Sequence, residues 1–237
     1  MSINQLAIDT DVEKTNTDSL GGGFTKPTGL YGCIVDTAYL SKSKGGALGL
    51  NLHLRVASDK SIVRQTIWCT SGDAKGNKNY YVNKDGKKFL LPGMQLADQI
   101  ARITTGKAMG DLSAEEKVVK LWDNEAKAEK PTKVPVLTEM LGKSILVGLH
   151  KVDKNRWTGG APTADHTFIN DIDKVFYPDG FSTLEREAEA AEAKVHKQWQ
   201  DKYGPDFVKD EYDASVGGSS DDSLPTEAVA DTGSLFS

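Results

Sequence analysis

The stretch Ala47-Leu48-Gly49-Leu50-Asn51-Leu52-His53-Leu54-Arg55-Val56-Ala57 alternates without a break. Leu48, Leu50, Leu52, Leu54 and Val56 fall on one side, and Gly49, Asn51, His53 and Arg55 on the other. A period of two is the side-chain repeat of an extended chain, so the segment reads as a strand with one buried and one wet face. Its neighbours follow the same logic. Upstream, Leu30 to Leu40 is rich in β-branched and aromatic residues, and Ser41 to Gly46 supplies a turn bearing Lys42 and Lys44. Downstream, Ser61 to Thr70 sets Val63, Gln65, Ile67 and Cys69 against Arg64, Thr66 and Trp68. An apolar face opposite one that carries arginine and a large aromatic is how a binding sheet is built.

Beyond these three strands the chain changes character. Ser71 to Lys88 is polar and lysine-rich, and Asp85-Gly86 between Tyr81-Val82 and Phe89-Leu90 predicts a small hairpin. Pro92 opens a helix, Leu96, Ile100 and Ile103 share its buried stripe, and Gly106 ends it. Ser113-Ala114-Glu115-Glu116 has the pattern of a capping box for a short turn. Val118 to Trp122 suggests a strand, with Trp122 a structural residue, and Val136 to Leu141 a short helix closed by Gly142. Ser144 to Val152 and Thr167 to Tyr177 read as two more strands, joined by a loop around Trp157-Thr158-Gly159-Gly160. Ser182 starts a last helix with Glu185 as its capping partner. Leu184, Ala188, Ala191, Val195 and Trp199 make a stripe that suits docking on the domain or pairing into a homo-oligomer.

The expected fold class is mainly β with added helices: a five-stranded Greek-key barrel whose helix follows the third strand, with a C-terminal amphipathic helix and a disordered acidic tail. A generic α+β sandwich is the alternative. The expected divisions are a flexible arm over 1–23, the barrel over 24–180, the amphipathic helix over 181–204 and the tail over 205–237.

The 237 residues carry a net charge of −5, and its distribution says more than its value. Ser41 to Lys107 holds 12 basic and 4 acidic residues, whereas Asp210 to Ser237 holds 7 acidic and no basic ones. A basic body with an acidic tail suggests a polyanionic partner. No run of about 18 apolar residues exists, so no membrane span is expected. The acidic start lacks the basic and apolar parts of a signal peptide, and two cysteines suit a reducing cytoplasm.

Catalytic patterns are missing. The four histidines are scattered, with no pair at i, i+4, and Cys33 and Cys69 do not form a zinc motif. There is no phosphate-binding loop and no nucleophile elbow. Asp165, His166, Asp171 and Asp173 are close in sequence but read as a solvated loop, and a nuclease built on Asp165, His166 and Asp173 is a remote reading. The expectation is a protein that is not an enzyme and needs no cofactor or metal. What remains is cations interleaved with flat rings, the combination that holds single strands. The candidates are Tyr39, Lys42, Lys44, Arg55, Arg64, Trp68, Lys75, Lys78, Tyr80, Tyr81, Lys87 and Trp157, with Trp68 the leading stacking platform. In the tail, Asp221, Asp222, Asp231, Leu235 and Phe236 suit contact with partner proteins and competition for the basic groove.

Three features together resemble the single-stranded-DNA-binding proteins of tailed bacteriophages. They are Ser43-Lys44-Gly45-Gly46-Ala47-Leu48-Gly49-Leu50, then Arg64-Gln65-Thr66-Ile67-Trp68 followed by Thr70-Ser71-Gly72-Asp73, and the acidic tail with Phe236 near its end. With the helix after Pro92, the similarity covers about Phe24 to Tyr177 plus the tail. It implies an OB-fold, sequence-independent binding of single-stranded DNA in phage replication and recombination, and a host-cytoplasmic location. It also implies a tail that contacts a replication protein such as a polymerase, helicase or primase. One departure is that Ser237 follows Phe236, where related tails often end on the aromatic or among acids. The competing reading is an assembly or adaptor protein that binds a replication enzyme through its last helix and tail.

Overall fold

The computed structural model describes residues 25–123 and 126–216. The alternating segments form an antiparallel meander: β1 (Gly29–Lys42), β2 (Leu48–Val56) and β3 (Ile62–Trp68). Leu50, Leu52, Leu54 and Val56 are buried, as the alternation requires, together with Val63 and Ile67 from β3. Leu48, beside the β1–β2 turn, is the exception and stays exposed. A bulge between Val35 and Thr37 lets β1 bend, so that its first half pairs with a later strand while its second half pairs with β2 alone over most of its length.

After β3 come a short hairpin, β4 (Tyr80–Val82) with β5 (Lys88–Leu90), and the helix α1 (Pro92–Thr105). Ala97, Ile100 and Ile103 of α1 are buried in the same core as β2 and β3. A second hairpin joins β6 (Glu115–Asp123) to β7 (Ala128–Val136), and meets β1 at the single pair Tyr39 with Val136. The longest hairpin is β8 (Ser144–Thr158) with β9 (Ala161–Phe176). Its turn is Gly159-Gly160, both at positive φ (64° and 87°), the region a two-residue hairpin demands and glycine accepts without strain. The chain then forms α2 (Thr183–Glu187), α3 (Val195–Lys202) and β10 (Val208–Glu211).

The main sheet runs β10-β8-β1-β2-β3, with β9 also on β8, and is antiparallel except for β10. It is an open sheet: β3 and β9 share no ladder. One side chain spans the gap. Gln65 Oε1 accepts from the backbone N–H of Ile172 at 2.7 Å, and Gln65 Nε2 donates to Asp171 Oδ1 at 2.5 Å. Cys33 and Cys69 are free thiols buried in the core, and burial pushes the Cys33 thiol up to about 11. No described helix is long and apolar enough to cross a membrane.

Several local expectations are corrected. Val136 to Leu141 is not an α-helix: Val136 ends β7, and only Thr138–Met140 forms a 3-10 turn. Pro131 and Pro135 obscured β7 in the sequence, but up to Pro135 the strand is paired along its β6 edge only, and such a strand tolerates proline. The Ser113 capping box does not form, because Glu115 and Glu116 start β6 and pair with Val136 and Pro135. Trp157 lies on β8 opposite Pro162 rather than in a loop. The helix expected over 181–204 is two helices, since Glu189 turns to φ 49°. Its start is as read: Ser182 Oγ accepts from the Glu185 N–H at 3.2 Å and the Glu185 carboxylate accepts from the Ser182 N–H. The same carboxylate also accepts from the N–H groups of Lys194 and Val195, folding the chain back to begin α3. Desolvation opposes ionisation of Glu185, yet these backbone donors outweigh it and hold its carboxyl at about 2. The stripe from Leu184 to Trp199 is therefore split, with Leu184 exposed and Trp199 buried. The first residues assigned to the tail are folded too: Val208 to Glu211 pair with Lys151 to Lys154 of β8. The arm over 1–23 and the tail residues Asp221, Asp222, Asp231, Leu235 and Phe236 lie outside the described residues.

Candidate nucleic-acid interface

The outer face of the meander is built row by row from strand register. Ser41, Gly49 and Trp68 form one row, Tyr39, Asn51 and Thr66 the next, and Thr37, His53 and Arg64 the third. Trp68 lies across its partner strand. A methyl group added at Gly49 would meet the indole Cε3 at 2.8 Å and Thr66 Cγ2 at 3.1 Å. Only glycine leaves room for the ring to lie that close, so the six-membered part of the indole rests on the β2 backbone. The residue is 46% exposed. A flat ring supported from below and open above is the geometry a stacking surface needs.

Asn51 of the middle row ties that row to Ser41 of the first. Thr66 Oγ1 donates to Asn51 Oδ1 at 2.7 Å, and Asn51 Nδ2 donates to Ser41 Oγ at 2.7 Å. Tyr39 stands edge-on to His53, with ring centres 6.2 Å apart. Burial pushes the His53 pKa below its ordinary value, and the neighbouring Arg64 acts in the same direction. Arg64 is exposed on β3, at the meeting of three clefts. One runs towards Lys154 and Phe168 of the β8–β9 hairpin. A further cleft, beyond the Gln65–Asp171 bridge, runs past Trp68 to the start of α1.

The expected site residues fall into four groups. Tyr39, Arg55, Arg64 and Trp68 share the outer face, although Arg55 is ion-paired with Asp36 at its edge. Lys42, Lys44 and Lys75 lie where the β1–β2 turn meets the loop after β3. There Asp73 N–H donates to the Gly45 carbonyl at 2.9 Å, Leu48 N–H donates to Thr70 Oγ1 at 2.8 Å, and Lys42 Nζ is 3.7 Å from Asp73. Two motifs far apart in sequence are thus one structural unit beside Trp68. Tyr80, Tyr81 and Lys87 belong to the β4–β5 hairpin, and Lys78 precedes it, its backbone N–H donating to Ser71 Oγ at 3.0 Å. Lys78 and Lys88 approach the Tyr80 ring at 5.9 and 4.9 Å, while Tyr81 stacks on Phe89 at 5.7 Å and remains exposed. Trp157, 65% exposed, stands beside the β8–β9 turn, opposite Pro162.

One aromatic was misread from sequence. Trp122 is 63% exposed, and with Leu121 it walls a cleft lined by Tyr39, His53 and Arg64. The signal available was the alternation of β6, which sets Trp122 with Lys120 and Val118, all exposed. The acidic candidates are dispersed instead. His166 Nδ1 lies 2.9 Å from Asp153 and its ring stacks on Tyr212 at 3.8 Å, whereas Asp173 accepts from Trp199 Nε1 at 2.7 Å. Among the described residues no three His, Cys, Asp or Glu side chains gather as a metal would require.

Comparison of the sequence with protein-family models and with curated proteins finds no match.

Proposed function

We propose that this protein binds single-stranded DNA without sequence preference and without catalysis. The observation that carries the reading is Trp68: an indole seated on Gly49, open to solvent, on a face that also presents Arg64 and adjoins Lys42, Lys44 and Lys75. Bases stack on such a ring whatever their identity, and cations neutralise the phosphates. The barrel reading is of OB type. It is supported by the meander β1-β2-β3, the helix that follows, the pairing of β1 with β8 and β8 with β9, and the Gln65 bridge from β3 to β9. In that fold the second and third strands, flanked by two hairpin loops, are the usual nucleic-acid face, and β2 and β3 carry the rows described here. A role in phage replication and recombination, with the acidic tail reaching a replication protein, follows from the same resemblance.

The test is tryptophan fluorescence during titration with oligo(dT), set against duplex of equal length, at low and high salt. Quenching by the single strand alone, weakened by salt, is expected. A flat response to both nucleic acids would refute the proposal. The adaptor reading retains one observation, the exposure of Leu184 beside an apolar groove that includes Val175 and Val195. It requires that deleting 217–237 abolish capture of a replication enzyme while DNA affinity is weak throughout. Single-strand binding requires that the deletion leave DNA affinity equal or higher.

A further inference from the structure

The β6–β7 hairpin adds a wall that the meander alone would not have. Because β7 joins β1 at one residue pair, the far half of the hairpin is held by its own ladder, Trp122 opposite Glu129 and Leu121 opposite Lys130. That ladder brings Trp122 to the rim of a cleft whose floor includes Tyr39, Asn51, His53 and Thr66. Lys120, Arg64 and Glu129 surround the adjoining opening. A tryptophan left largely in water forgoes the stabilisation of burying its ring, which makes its place at a cleft mouth informative.

We propose that this cleft seats one unpaired nucleobase against the Trp122 indole, over the Tyr39–His53 pair, with the adjoining phosphate drawn to Arg64 and Lys120. The inference rests on the single-strand reading and assigns it a second stacking position, distinct from Trp68. The cleft floor explains tolerance of any base. Asn51, the side chain best suited to reading a base edge, already spends its amide on Ser41 and its carbonyl on Thr66. The cleft also selects against duplex, in which both faces of every base are covered by neighbours and none is free to enter. Burial and the neighbouring Arg64 disfavour a charge on His53, whose ring offers a flat partner.

The experiment uses the full chain and the anisotropy of a labelled oligo(dT) and of an abasic strand of equal length. Trp122→Ala is expected to weaken oligo(dT) binding about tenfold, the usual scale for one stacked base. Trp122→Phe should retain most of the affinity, and the abasic strand should bind wild type and Trp122→Ala alike. If Trp122→Ala holds oligo(dT) as wild type does while Trp68→Ala weakens it, the cleft is not a base site and the single-strand reading stands. Equal losses on both strands would mean that Trp122 shapes the hairpin and does not stack, which overturns the inference. No binding of oligo(dT) by wild type removes the single-strand reading, and this inference with it.

Discussion

Trp68 and Trp199 are set on the sheet in the same way and differ in what covers them. Each indole lies against a glycine: a Cβ at Gly49 would meet Trp68 at 2.8 Å, and one at Gly148 would meet Trp199 at 3.0 Å. Above Trp199 the space is filled. His150 stacks on it with ring centres 5.3 Å apart, Tyr203 packs at the same separation, Asp173 accepts its N–H, and 5% of the residue remains exposed. Trp68 instead keeps 46% of its surface exposed. A glycine seat therefore marks where a ring can lie flat, and the second face decides whether the ring is an anchor or a platform.

Breaking the anchor should have the largest effect. Trp199→Ala is expected to destabilise the fold by about 3–5 kcal/mol, the range for removing a large buried aromatic. The loss falls on the docking of α3 and β10, is read by urea unfolding, and should leave oligo(dT) affinity of the folded protein unchanged. The reciprocal pattern is expected for the platform. Trp68→Ala should cost about 1–3 kcal/mol of binding, roughly 5- to 150-fold in affinity, with a much smaller change in the unfolding midpoint. Gly49→Val sharpens the point, because valine suits a strand but occupies the seat of the indole. It should reproduce part of the Trp68→Ala loss, and the double variant should bind no worse than Trp68→Ala alone.

A pH series tests the anchor more gently. His150 Nε2 is buried without a hydrogen-bond partner, and burial pushes the His150 pKa below its ordinary value. Charged and titratable groups around it are Asp173, Asp171, Lys209, Lys202 and Tyr203. The folded state thus resists protonation of the ring, whereas the unfolded chain takes a proton near pH 6.5. Stability is complete above that pH and falls as pH drops from there towards the depressed folded value. His150→Phe should flatten that fall between pH 7.5 and 5.5 in urea titrations. The smallest effect expected is at the platform's edge: Arg64→Gln should reduce the salt slope of oligo(dT) binding by about 0.7, one phosphate contact.

The meander was legible because apolar and polar residues alternate along its strands, so Leu50, Leu52 and Leu54 separate visibly from Asn51 and His53, although Asn51 is itself buried. The β4–β5 hairpin was legible through Asp85-Gly86, and α1 through Pro92 and Gly106, since these residues act on their own backbone. β7 was not, because Pro131 and Pro135 are acceptable only where a strand edge lacks a neighbour, and that depends on a pairing made elsewhere. The break at Glu189 was hidden in an alanine-rich run that favours helix. Glu185, by accepting hydrogen bonds from the start of both helices, overrides that preference.

Within the site, the facing of Arg64 and Trp68 followed from alternation alone, whereas the closeness of Ser43–Ala47 to Thr70–Asp73 and the place of Trp122 did not. Pleating forces successive side chains to opposite sides of a strand, so the sequence by itself determined three strands and which residues share each side, while the exposure of Leu48 and the burial of Asn51 came from packing. Only the tertiary structure decided that Gln65 bridges β3 to β9, that Trp122 overlooks the cleft beside His53, and that Trp199 is covered while Trp68 is open. Those outcomes depend on which distant segments lie side by side, and no local periodicity encodes that.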